Sequence, residues 1–370
     1  MVLDFPCMLI HKGAMQKQTK DVGGLARRYV VSPFSVLDGR SGPWQDRKRQ
    51  WLACGIEGEV QATGRGAGLA FNTTGILKDA GAEGTWVGGT SVFDPVLTEC
   101  LIEWFCPQAG QILDPFAGGP VRGYVASRLH RHYTGIELRQ EQVDANKHCW
   151  STIGKETPTP TWLQGDSKAA LPSLDLQADM ILTCPPYGDL EVYSDDPADI
   201  SHQAKQDHDR FIESYRAIIA AAASKLKTDS FAAIVIGDYR DKRGIYRNFS
   251  GITCDAAADA GLSLYNEAIL INPAGTLPLR VGGQMVASRK LGRCHQTVLI
   301  FVKGDPRAAT ARCALNAPAE MGCKDLPAVS KPKRRNTGGD VSVAVASQLP
   351  SEAGVDDGSV GVEDGGAVDA

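Results

Sequence analysis

Five consecutive residues, Thr183-Cys184-Pro185-Pro186-Tyr187, carry the most specific chemistry in this 370-residue sequence. Successive prolines keep the backbone extended and supply no N–H, so the carbonyl of Pro185 becomes an acceptor with no donor beside it. An acceptor held this way can polarise an exocyclic amine, whose lone pair is otherwise delocalised into its ring. Tyr187 offers an aromatic face on which a base extruded from a duplex can stack. A thiol accepts hydrogen bonds weakly, so Cys184 shifts more of the load onto the backbone oxygen, lowers activity, or marks a different target. A covalent role for Cys184 needs an activating partner, and the sequence places none beside it.

A second group is Asp114-Pro115-Phe116-Ala117-Gly118-Gly119-Pro120, followed by the apolar Val121, Tyr124, Val125 and Leu129. The pattern is a strand, a glycine turn and a helix start, where free N–H groups favour an anionic or carboxylate ligand. Glu137 follows Asp114 by 23 residues, close to the ~20 at which an acid reaches ribose hydroxyls in nucleotide-binding sheets. An adenosine-bearing ligand is implied.

The elements that must position these groups follow from periodicity. Short apolar runs at 111–114, 133–137, 161–164, 179–184 and 231–237 alternate with amphipathic stretches, the pattern of a parallel α/β sheet with helices on both faces. Two further runs, 264–271 and 296–303, are joined by a Gly-rich stretch without a clear helical period and read as an antiparallel hairpin. Asp94-Pro95 before Leu97, Leu101, Ile102 and Phe105 reads as an N-cap, an N1 proline and a helix face that enters the core. Residues 1–90 show no assignable period.

Residues 114–119 resemble the cofactor loop of S-adenosylmethionine-dependent DNA amino-methyltransferases, and Gly135-Ile136-Glu137 resembles their second motif. The tetrad at 184–187 is similar to their Asp/Asn/Ser-Pro-Pro-Tyr motif, with Cys184 in the first position and Pro120 in place of a third loop glycine. The stretch after the tetrad and residues 33–52 resemble enzymes of this kind carried by phages and prophages, a group that includes members of restriction-modification systems.

The resemblance implies a Rossmann-like methyltransferase fold: a mostly parallel seven-stranded sheet whose terminal strand is antiparallel. It also implies S-adenosylmethionine as cofactor, held by Thr90, Phe93, Asp114, Phe116, Ala117, Gly118, Gly119, Glu137 and Asp166. Asp166 would contact the adenine amine, although Asp is also a favoured N-cap. Phe93 and Thr90 would line the methionine end, or simply pack. Cys184, Pro185, Pro186 and Tyr187 would be catalytic, and the product would be N6-methyladenine or N4-methylcytosine in DNA. RNA, a protein glutamine amide, or a degenerate relative that only binds nucleic acid are the alternatives.

The net charge of −4 looks wrong for a DNA partner until the acids are located. Six of them fall in residues 351–370 with no base, in a Gly-, Ser- and Ala-rich tail expected to be disordered. Cations cluster instead at Arg47, Lys48 and Arg49, at Arg240, Lys242, Arg243 and Arg247, and at Arg280, Arg289, Lys290 and Arg293. Such groups neutralise phosphates or form solvated loops. A short basic run at Lys331, Lys333, Arg334 and Arg335 precedes the tail. The expected organisation is an extension over 1–90, a catalytic domain over 91–305 with recognition loops at 238–250 and 272–295, and a disordered tail over 306–370. Ten cysteines without CxxC pairs fit reduced thiols rather than disulfides or a metal site. No apolar run reaches the ~20 residues of a membrane span. A cytoplasmic protein of a bacterium or phage-infected cell is expected, with monomer or homodimer left open.

Overall fold

The computed structural model of the chain describes residues 24–56, 92–154, 158–275, 277–314 and 321–329. Thr90, the basic run 331–335 and the acidic stretch 351–370 lie outside the described residues.

Among the described residues, one eight-stranded sheet organises the fold. Its strands are β1 (Val36–Asp38), β2 (Gln111–Asp114), β3 (His132–Glu137), β4 (Thr161–Gln164), β5 (Ala178–Thr183), β6 (Leu226–Ile236), β7 (Ser263–Ile271) and β8 (His295–Lys303). They lie in the order β1-β7-β8-β6-β5-β2-β3-β4. Only β8 runs antiparallel, paired with β6 on one side and β7 on the other. Strands β2 to β8 thus form the expected mostly parallel seven-stranded sheet, with the antiparallel strand inserted between its two neighbours.

Periodicity of two decides which side chains face which layer. Along β6, Phe231, Ala233 and Val235 enter one core, while Ala232, Ile234 and Ile236 enter the other. The first core is covered by α1 (Gly42–Leu52), α2 (Pro95–Phe105), α3 (Val121–Arg128), α4 (Gln140–Ile153) and α10 (Pro306–Ala314). The second is covered by α5 (Ser167–Ser173), α6 (Ile200–Gln206), α7 (His208–Lys225) and α8 (Phe249–Asp259). One further helix, α9 (Leu277–Ser288), spans the connection between β7 and β8. Helix α2 starts as its sequence predicts: the Asp94 carboxylate accepts from the N–H groups of Val96 and Leu97, with Pro95 at the first turn.

Three sequence expectations need correction. Residues without a readable period contribute β1, which pairs in parallel with β7 (Val36 opposite Ile269), and α1, whose Trp44 and Trp51 are core residues. A three-residue strand is too short to display alternation. The connection between β7 and β8 is helical despite Gly282 and Gly283, which lower helix propensity. The segment after 305 is not all tail: α10 is a regular helix, and Cys323 is buried in the first core.

Among the described residues no helix is long and apolar enough to cross a membrane, and no cluster of three or more metal-ligating side chains occurs.

Candidate active site at the carboxyl edge of the sheet

In a doubly wound sheet, ligands gather outside the carboxyl ends of the parallel strands. Here β2, β5, β3 and β4 run in parallel, with Leu113 opposite Ile181, Asp114 opposite Gly135 and Glu137 opposite Gln164. The glycine loop after Asp114, the acid Glu137, Asp166 and the tetrad after Thr183 therefore emerge at one edge. A direct bond ties two of these loops together: Thr183 Oγ1 donates to Asp114 Oδ1 at 2.7 Å.

The Asp114 carboxylate is fully buried and engaged on every side. Arg122 Nε donates to Oδ2 at 2.6 Å and Tyr133 Oη to the same oxygen at 2.8 Å, while Phe116 N–H approaches Oδ1 at 3.2 Å. A carboxylate has about four acceptor positions, so none is left for a ligand. Asp114, placed by the sequence reading among the cofactor-holding residues, is thus engaged within the chain and anchors the loop.

Arg122 carries the anchoring further, because its guanidinium also donates to the carbonyls of Phe116 and Ala117 and stacks under the Phe93 ring at 4.5 Å. Burial is the largest single effect and works against its charge, but the Asp114 carboxylate together with Tyr133 and Cys184 holds its pKa above the usual arginine range. Burial, then the same carboxylate, pushes the Tyr133 phenol well upward. Neither Arg122 nor Tyr133 was singled out from sequence. The available signal was a cation inside an otherwise apolar helix start, Val121-Arg122-Gly123-Tyr124-Val125, which requires a buried partner.

The loop itself turns at Gly118, whose φ of 51° lies in the left-handed region glycine tolerates. Gly118 N–H donates to Glu137 Oε2 at 3.0 Å, and its carbonyl accepts from Asn146 Nδ2 at 2.7 Å. Asn146 is in turn held by Gln142 one helical turn earlier. Pro120 stands at the N-cap of α3, where its missing N–H costs nothing. The ring of Phe116 stacks on Tyr215 of α7, and Ala117 is buried. Asp166 caps α5 through Lys168 N–H at 2.9 Å. It also borders a cavity of about 430 Å³ lined with Lys168, Ile200, Gln203, Arg210 and Ser214.

In the tetrad, Pro185 is buried, while Cys184, Pro186 and Tyr187 are half-buried. Tyr187 is fixed in place: Gln296 Nε2 donates to its hydroxyl at 2.9 Å, and the hydroxyl lies 3.2 Å from Cys184 Sγ. Asn272 Nδ2 donates to Gln296 Oε1 at 3.3 Å, which sets the amide so that its N–H faces Tyr187. The tyrosine ring rests on Gly237, where an added Cβ would meet the ring at 2.9 Å. Burial, followed by the neighbouring Cys184, drives the Tyr187 pKa well above its ordinary value, so the phenol stays protonated. Gln296 carries no motif signal; its position at the start of an antiparallel strand is legible only in the fold.

The expected nucleic-acid contacts divide. Arg47 donates to the buried Glu99 and to the Cys323 carbonyl, Lys48 pairs with Asp94 at 2.9 Å, and Arg49 pairs with Asp46. Correcting the sequence reading, Arg47 and Lys48 dock α1 onto α2, because the two tryptophans of α1 bring them to the acids of that helix. The other two groups sit at the carboxyl edge, after β6 and between β7 and β8. Arg240 stacks on Tyr246 at 3.7 Å, Arg243 is 84% exposed, Arg289 is exposed, and Lys290 lies against Gly244. Arg293 is tied to Asp238, His295 and Thr297. The side chain of Arg280 lies outside the described residues.

No family model matches the chain, and no curated protein matches it. Among solved structures, TrmN from Thermus thermophilus is 15% identical with a TM-score of 0.39, over 61% of this chain and 52% of its own. The chain thus spans about half the length of that protein. A TehB-like SAM-dependent methyltransferase from Corynebacterium glutamicum is 17% identical at TM-score 0.36, covering 64% of this chain and 98% of the other. Magnesium protoporphyrin IX methyltransferase from Synechocystis PCC 6803, with bound SAM, is 10% identical at TM-score 0.36, covering 64% and 93%. Overlaps of this size assign neither substrate nor cofactor to this chain.

Proposed function

We propose that the chain is an S-adenosylmethionine-dependent methyltransferase that acts on the exocyclic amine of adenine (N6) or cytosine (N4) in DNA. The Thr183–Asp114 hydrogen bond carries this reading, since it fastens the strand leading to Pro185 onto the strand leading to the glycine loop. The donor set fits the cofactor. Glu137 ends β3, and Asp166 follows by two residues the end of the neighbouring β4, whose Gln164 stands opposite Glu137; both offer carboxylate oxygens, to ribose hydroxyls and the adenine amine. The left-handed turn at Gly118 lets the backbone approach a ligand closely.

When bound, the cofactor supplies an electrophilic methyl group. The chain does the rest. The Pro185 carbonyl accepts a hydrogen of the target amine and localises its lone pair, Tyr187 stacks on the base in an orientation fixed by Gln296, and the phenol stays neutral. Phe93, packed over Arg122, lines the methionine end. Arg243 and Arg289 meet phosphates. DNA as partner makes the cytoplasm of a bacterium or phage-infected cell the place of work.

The test is transfer of labelled methyl from the cofactor to unmodified plasmid DNA, digestion to nucleosides, and identification of the product by mass. N6-methyladenine or N4-methylcytosine is expected. Label found only in RNA or protein rejects the acceptor, and full activity in Tyr187→Ala rejects the site.

A further inference from the structure

Helix α9 interrupts the connection between β7 and β8, where a segment without a single acid meets the edge that bears the tetrad. No Asp or Glu occurs between Glu267 and Asp305, while Arg280, Arg289, Lys290, Arg293 and Lys303 do. The helix presents two apolar faces. Leu277, Val281 and Met285, spaced by four, are half-buried. Leu279, Gly282, Gly283 and Val286, spaced i, i+3, i+4, i+7, share the opposite face and are open to solvent. Leu279 is 85% exposed and Val286 81%, and just past the helix Leu291 is 69% exposed. A Cβ added at Gly282 or Gly283 would meet nothing within 4 Å.

Beside this face stands the loop after β6. Lys290 lies against Gly244, and the next residues of that loop, Ile245 (59% exposed) and Tyr246, are again apolar and open. Apolar side chains grouped on one face, unlike ones exposed singly, are what an interaction surface presents. Its position is fixed by the site: Leu291 is five residues before Gln296, which holds Tyr187, and Gly237, under the Tyr187 ring, leads into the loop carrying Ile245.

Charge selects the occupant. A second copy of the chain docked about a two-fold axis would set this acid-free, cationic segment against itself, with like charges facing across the contact. A polyanion has the opposite sign. A duplex also offers what Leu279, Val286 and Leu291 need, because base faces and sugar edges are apolar once a nucleotide leaves the stack.

We infer that α9 with Leu291 and Ile245 is a DNA-docking face whose apolar side chains contact the duplex beside the extruded base, while Arg243 and Arg289 hold the phosphates. This rests on DNA being the acceptor. The contact gives affinity a part that salt does not screen, in contrast to the phosphate contacts.

The experiment measures binding of the full chain to a fluorescein-labelled DNA duplex across a salt series. The variants are Leu279→Ser/Val286→Ser/Leu291→Ser and Arg243→Ala/Arg289→Ala. All five side chains are exposed, so both variants keep the fold. The serine variant should bind about tenfold more weakly with an unchanged slope of log K against log salt. The alanine variant should lower that slope by about 1.8, two phosphates' worth. Wild-type chain that binds and methylates DNA alongside a serine variant of equal affinity overturns this inference alone. So does a wild-type dimer in sedimentation equilibrium that the serine variant converts to monomer. Wild-type chain with no affinity for the duplex overturns the acceptor reading and this inference together.

Discussion

Replacing Asp114 by alanine separates an anchor from a cofactor ligand. The substitution leaves Arg122, whose side chain is 4% exposed, as an unpaired cation in the core, at a cost of about 3–5 kcal/mol. It also strips the hydroxyls of Thr183 and Tyr133 of their acceptor, each about 1–3 kcal/mol when buried. These terms overlap, so a loss of at least about 4 kcal/mol is expected, against a total near 5–15 kcal/mol for a domain. The Asp114→Ala chain should therefore unfold at much lower urea than wild type or fail to fold. Arg122→Met in the same chain removes the stranded charge and should recover part of the loss, which a double-mutant cycle reads as coupling. Thr183→Val, close in shape, should cost about 1.5–3 kcal/mol, as for a hydrogen bond to a charged group. The assay is equilibrium urea denaturation, paired with cofactor titration by calorimetry on whatever folds. An Asp114→Ala chain with the wild-type urea midpoint and only a loss of cofactor binding would refute the reasoning.

Gln296→Leu frees the Tyr187 hydroxyl from its donor, and methyl transfer should fall about tenfold with cofactor affinity unchanged; single-turnover rates with calorimetry check it. Glu99, fully buried, accepts from Arg47, Trp51 and the Cys323 N–H; Glu99→Ala should cost about 3–5 kcal/mol in urea denaturation and loosen α1 and residues 321–329 together in hydrogen exchange. Burial raises the pKa of Glu191, with the Tyr193 hydroxyl opposing. A raised carboxyl pKa favours the protonated folded form, so stability drops as pH rises through it. Glu191→Gln should accordingly raise the melting temperature at neutral pH and leave it unchanged below pH 4.

How much of this was legible in the sequence depends on the range of the interaction. The strands 111–114 and 161–164 end where the structure ends them, because alternation and flanking turns are local. The glycine loop, Glu137 and the tetrad were visible as letters, and their common edge follows from parallel order. What escaped was set by contacts far along the chain. Gln296 meets Tyr187 across 109 positions, and Arg47 meets the Cys323 carbonyl across 276, distances over which no pattern is written. Arg47 and Lys48 looked like a surface cluster because Trp44 and Trp51 gave no sign of which face of α1 would be buried. Helix α9 was missed because two glycines and a proline hide its period. The motif marked Asp114, but it records which residue is present, not the four donors that surround its carboxylate.

A crystal structure of the full chain with S-adenosylhomocysteine addresses the central claim most directly. The account predicts the adenosine along Glu137 and Asp166, with the sulfur turned toward Pro185 and Tyr187 across the loop at Gly118. A ligand seated wholly in the cavity between α5 and α7, with its sulfur facing away from residues 184–187, would contradict it.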